Sequence, residues 1–229
     1  MLCMSKISIS WDQFTIPTAA SWVVKFVCKV KNYFSDQIGY QWLQSAKYSI
    51  KGTYTQLRCL GTKVPWQKYV WNRLTIPKHR FIMWLAMLDR LKTKDRLFKV
   101  GISTGDSCPI CGAQVEKVEH LFFECELSRQ CKLLVFSWLG VQLNRVTVFS
   151  LLMGVQKYSR SKYRRFIIIT AVASLVYNIW RARNAAIWSL HIPIVQSIVK
   201  TIQAEVKGRV MNLLNSKTSS RDLDWFHSL

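Results

Sequence analysis

Apolar residues along the chain recur mainly at spacings of three and four, the period of a helix with one inward stripe. Trp22, Phe26 and Val30 repeat every four. Residues 47–54, KYSIKGTY, alternate enough to predict one short strand before Gly52. Pro65 and Pro77 each stand where a helix should begin, since the missing N–H of proline costs nothing in a first turn. After Pro77 the apolar positions Phe81, Leu85, Leu88 and Leu91 predict one inward stripe, with Trp84 beside it. Thr93 is a candidate cap for the next helix, Asp95 suits its first turn, and Gly101 suits its end. Residues 127–139 read as helix, closed by Gly140, and 147–155 as a shorter one. Residues 163–188 predict one long helix with Phe166, Ile169, Ala173, Val176, Trp180, Asn184 and Ile187 on a shared face. Pro193 opens a last helix with Ile194, Ile198, Ile202 and Val206 inward. The pattern is mainly α, an irregular helical domain ending in a pair of long helices. It divides into a helical extension over 1–46, a central region over 47–140, a helical region over 141–215 and a loose tail over 216–229.

Composition makes this a folded chain: half the residues are apolar and 13% aromatic, enough to build a core. Charge adds a partner. There are 33 Lys and Arg against 12 Asp and Glu, a formal net charge of +21. That imbalance points to a polyanion, nucleic acid first and an anionic membrane surface second. Residues 166–180, FIIITAVASLVYNIW, are uncharged but fall short of the roughly 20 residues a spanning helix needs. They read as a buried core helix, and no membrane is expected. The N-terminus, MLCMSKISIS, has no long apolar run and no cleavage site, so an intracellular protein, nuclear or cytoplasmic and not secreted, is the expectation.

Seven cysteines without export predict thiols rather than disulfides. Cys3, Cys28 and Cys59 read as plain reduced thiols. Three others form a frame with a histidine: Cys108-x2-Cys111-x8-His120-x4-Cys125. Thiolates with an imidazole select zinc, and Cys3His is a common structural set. Pro109 and Gly112 suit the turn that aims two thiolates at one ion. The four residues between His120 and Cys125 span about one helical turn, which lets both face one point. Cys131 reads as a core residue of the next helix. Four protein ligands leave no open position for water or substrate, so one structural Zn2+ is expected, and its binding contributes folding free energy.

The negative charge gathers at this frame. Asp106, Glu116, Glu119, Glu124 and Glu126 stand there with Lys117 as the one base. Residues 37–88 and 127–204 hold no acid at all. The expected polyanion surface therefore lies on flanking helices: Lys78, Arg80, Arg90, Lys92, Lys94, Arg96 and Lys99 on one side, and Lys162, Arg164, Arg165, Arg181 and Arg183 on the other. Trp66, Tyr69 and Trp71 are candidates for stacking on single-stranded bases, or for core packing.

The run from Pro65 through FIMWLAM, the turn Thr93-Lys94-Asp95-Arg96-Leu97, CPICG and EHLFFEC resembles the zinc-binding domain that follows the reverse transcriptase in plant non-LTR (LINE-type) retrotransposons. KYSIKGTY resembles the segment just upstream, and IWRARNAAIW resembles a Trp-x-x-Arg-Asn element that often follows. The resemblance assigns 47–140 to that domain and carries its four ligands onto Cys108, Cys111, His120 and Cys125. The polymerase and RNase H carboxylates of the parent proteins have no counterpart, since the chain has no Asp-Asp pair and two acid-free stretches. The expectation is a non-catalytic, zinc-stapled module that binds RNA or single-stranded DNA. The alternatives are a protein-interaction module docking on a polymerase or another protein, and an inert remnant of a mobile element.

Overall fold

A computed structural model describes residues 64–213 and 218–229, together with scattered positions between 18 and 29. The chain divides into two units, Met1–Lys63 and Val64–Leu229. In the first, Trp22 and Phe26 are helical and stack with ring centroids 5.4 Å apart. Val30, Cys3, Cys59 and the predicted strand at 47–54 lie outside the described residues. The second unit contains, in order, α1 (Gln67–Val70), α2 (Pro77–Met87), α3 (Lys94–Lys99), a π turn (His120–Glu124), α4 (Glu126–Trp138), α5 (Val148–Tyr158), α6 (Lys162–Trp188), α7 (Val195–Met211) and α8 (Ser220–His227). Among the described residues the only β pairing is an isolated bridge between Ser107 and Val115.

Local chemistry sets most of the helix ends. Ile76 is extended and Pro77 occupies the first position of α2. Thr147 starts α5 with a reciprocal cap: its hydroxyl accepts from the Ser150 N–H at 3.0 Å, and the Ser150 hydroxyl accepts from the Thr147 N–H at 3.2 Å. Ser161 caps α6 by accepting from the Arg164 N–H. Gly140 turns the chain out of α4 at φ +64°, a conformation that side chains with a Cβ resist.

Helix α6 is the centre of the unit. A single inward face is expected from its sequence, but residues 167–176 are buried without a break. Helices α1, α2, α4, α5 and α7 pack around it. Each fully buried Ile or Leu there contributes about 1.5–3 kcal/mol. By length and composition α6 could cross a membrane, yet 72% of its apolar window is buried against other parts of the protein. Two of its buried polar residues are satisfied internally: the Ser174 hydroxyl and the Asn178 amide each donate to Glu205 of α7 at 2.8 Å. On α7 the buried stripe is Ile198, Ile202, Val206 and Val210. Ile194 is exposed instead, because it is the extended residue that precedes the helix.

Two further expectations are corrected. On α2 the inward residues are His79, Met83 and Ala86, while Phe81 and Leu88 of the expected stripe face outward. Met83 and Ala86 meet the core around α6, and His79 lies against Tyr177, with ring centroids 4.4 Å apart. The end of the chain, read as loose, forms α8. Asp222 accepts from Arg164 Nε at 2.7 Å and from the Ser161 hydroxyl at 2.8 Å, Phe226 is buried, and Trp138 Nε1 donates to the Leu229 carbonyl at 2.7 Å. An ion pair, a buried aromatic ring and a long-range hydrogen bond together hold the segment that composition alone marks as polar.

Candidate metal centre

The first two cysteines sit on a tight knuckle. Cys108 N–H donates to the Gln114 carbonyl at 2.7 Å, and Gly112 N–H returns to the Cys108 carbonyl at 2.8 Å. Gly112 has φ +67°, the conformation the turn requires and glycine supplies without strain. The N–H groups of Cys111 and Ile110 point at the Cys108 sulfur.

The third and fourth ligands depend on the π turn. In a regular α-helix a residue five positions on lies about 140° past a full turn. His120 and Cys125 would then diverge. Here Cys125 N–H bonds to the His120 carbonyl at 2.8 Å, an i to i+5 closure. The wider turn brings both side chains to one point. It also frees the Leu121 carbonyl, and the buried Ser128 hydroxyl donates to it. Cys125 then starts α4, and the Leu127 N–H reaches its sulfur.

The four donor atoms of Cys108, Cys111, His120 and Cys125 all lie within 4.8 Å of one another. Cys111 Sγ is 3.4 Å from His120 Nε2. Zn–S and Zn–N bonds of about 2.1–2.3 Å imply tetrahedral edges of about 3.6–3.8 Å, so the cluster suits one zinc. His120 Nδ1 lies 2.9 Å from Gln114 Oε1. An Nδ1–H donated to that acceptor leaves the Nε2 lone pair facing the sulfurs, the tautomer a ligand needs. Cys108 ionises readily, because a hydrogen bond from the Cys125 thiol and the knuckle N–H groups hold its pKa well below the usual thiol range. Cys125 is pushed up by the same bond and by burial. Cys131 is fully buried in the core, and burial raises its thiol to about 11.

The acidic residues at the knuckle do different work. Glu116 is completely buried and accepts two hydrogen bonds from Arg183 of α6, at 2.7 and 2.8 Å, and a third from the Lys94 N–H at 2.6 Å. Arg183 also donates to the Lys92 carbonyl at 3.0 Å, and its guanidinium lies 4.8 Å from the centre of the Trp180 ring. The Trp-x-x-Arg-Asn element therefore clamps the knuckle and α3 to the central helix. Glu126 lies in the first turn of α4, paired with Arg129.

Residues 48–131 match the family described as zinc-binding in reverse transcriptase. This segment is similar to that family over 84 of the 229 residues. No curated protein and no solved structure matches the chain. The domain carries a Cys3His cluster able to hold one zinc ion, within a mainly helical fold.

The basic residues flanking the domain are not all free. Lys78, Arg90, Lys92, Lys99, Lys162 and Arg181 are exposed, and Arg80, Lys94, Arg96, Arg164 and Arg165 are half-buried. Several have internal partners: Arg96 with Asp89, Lys99 with Asp95 at 3.4 Å, Arg164 with Asp222, and Arg165 with the Ser159 carbonyl at 2.7 Å. Arg183 is buried and turned inward, so it is a clamp and not a phosphate contact. Of the aromatic candidates, Tyr69 is core, Trp66 is half-buried and Trp71 is exposed. The sequence reading missed Gln114, Glu116 and Ser128. For Glu116 a signal existed: it is an acid that follows the knuckle by four residues in a chain with very few acids.

Proposed function

We propose that this protein is a non-catalytic, LINE-derived zinc module that binds RNA or single-stranded DNA through cations flanking the metal knuckle. The observation that carries this reading is the distribution of charge. Exposed Lys78, Arg90, Lys92 and Lys99 lie on or beside α2 and α3, and exposed Lys162 and Arg181 lie on α6. Cations placed this way gain affinity for phosphates by counterion release. The metal acts as a staple: its four ligands are all protein side chains, a closed arrangement that lacks the open position catalytic zinc requires.

The test is anisotropy titration of the zinc-loaded protein with labelled RNA and single-stranded DNA over a salt series. The expected result is an affinity that falls steeply with salt, with a log–log slope of about −0.7 per phosphate contact. No binding at low salt discards the reading. A second reading, docking on a polymerase or another protein, is favoured by the exposed apolar run Trp188, Leu190 and Ile194 at the α6–α7 turn. Co-purification with a polymerase that survives nuclease treatment supports that alternative.

A further inference from the structure

Helix α2 is apolar on two opposite sides. His79, Met83 and Ala86 face the core. Phe81 and Leu88, about half a turn away around the helix, face out. The outward side is not a scatter of single residues. Trp84 joins Phe81 with centroids 5.8 Å apart and joins Trp71, just after α1, at 6.2 Å. Trp71 and Phe81 are 46% and 51% exposed, and the Arg80 guanidinium lies 5.9 Å from the centre of the Trp71 ring. Three rings in contact, two of them half in water, form a patch that calls for a covering ligand.

Charge around the patch limits what that ligand can be. Residues 64–88 contain Lys68, Arg73, Lys78 and Arg80 and no carboxylate. Lys78 leans toward Glu205, at 3.9 Å. Lys68 and Arg73 are exposed. A ligand with flat apolar faces and regularly spaced negative charge satisfies the rings and the cations together. Unpaired nucleotides have both, whereas a duplex hides its base faces inside the stack.

We propose that Trp71 and Phe81 form a stacking platform for unpaired nucleobases, with Arg73 and Arg80 on the adjoining phosphates. This rests on the nucleic-acid reading above and adds the place and the mode of contact. The test uses the zinc-loaded full chain with labelled oligothymidylate and with the same strand made abasic. The intact strand should bind about tenfold more tightly, as expected when bases stack on aromatic rings. Trp71→Ala and Phe81→Ala should each reduce that preference while leaving the abasic affinity and the salt slope unchanged, and Trp71→Phe should retain it. Equal affinity of the wild-type protein for the two strands overturns the platform but leaves phosphate binding standing. Absence of binding to both strands at low salt overturns both proposals. If an alanine variant misfolds, as judged by zinc content and melting, the comparison of strands on the wild-type protein still decides.

Discussion

Gln114 is one of the smallest parts of the metal centre and has a specific effect on it. By accepting from His120 Nδ1 it fixes which ring nitrogen faces the thiolates. Gln114→Ala should keep the fold but lower zinc affinity about 10- to 100-fold, read by competition with a chromophoric chelator; unchanged affinity would show that the ring needs no such support. Arg183 acts by a different route. Removing one partner of a buried ion pair strands the other, so Arg183→Ala should cost about 3–5 kcal/mol of stability, seen as a large drop in melting temperature. The four ligands were legible because thiols and an imidazole at short spacing have few other uses in a reduced chain. Gln114 and Arg183 were not legible, because an amide or a guanidinium has many uses and only three-dimensional proximity selects one. Arg183 in particular lies 67 residues from its partner in the chain.

Among the elements, the existence of most helices was readable, α8 excepted, and the inward side was readable for α7 but not for α2. The spacing that predicts α2 is satisfied by either of two apolar sides, and the core selected the side carrying Met83 and Ala86 over the one carrying Phe81. For α6 the uncharged run 166–180 read as a buried core helix, and it is one, but burial on every side of 167–176 and the partner Glu205 on another helix were not readable from its spacing. That carboxylate links α2, α6 and α7. Burial alone would raise its pKa, but His79 beside it at 3.5 Å and hydrogen bonds from Ser174 and Asn178 hold it at about 2, below its ordinary 4.5. A carboxylate with a lowered folded-state value stabilises fully above about pH 4.5 and loses that contribution as pH falls toward about 2. Melting temperature should therefore decline over this acidic window, and Glu205→Gln should flatten the decline. The docking of α8 depends on a similar pair. Arg164→Glu should set Asp222 against a like charge and release residues 218–229, detected as faster hydrogen exchange there with α4 and α7 still protected. If exchange at α8 did not change, Phe226 alone would be sufficient to hold the helix.

For the whole molecule, the charge map changes meaning once its partners are known. The net charge of +21 was legible from composition, but composition does not separate cations that face solvent from those that brace the fold. Arg183 and Arg164 brace it, while Arg90, Lys92 and Arg181 are exposed to solvent. The acidic knuckle fits the same division, since its most buried acid, Glu116, is neutralised from within. That clamp also sets where the chain can be cut. The family match ends at residue 131, and Arg183 lies 52 positions beyond it. A fragment trimmed to the matched bounds would present an uncompensated Glu116 carboxylate beneath its knuckle and lose the α6 surface that buries it. Expression of that fragment should give insoluble or zinc-poor material, whereas a chain continued past α7 should stay in solution with its metal.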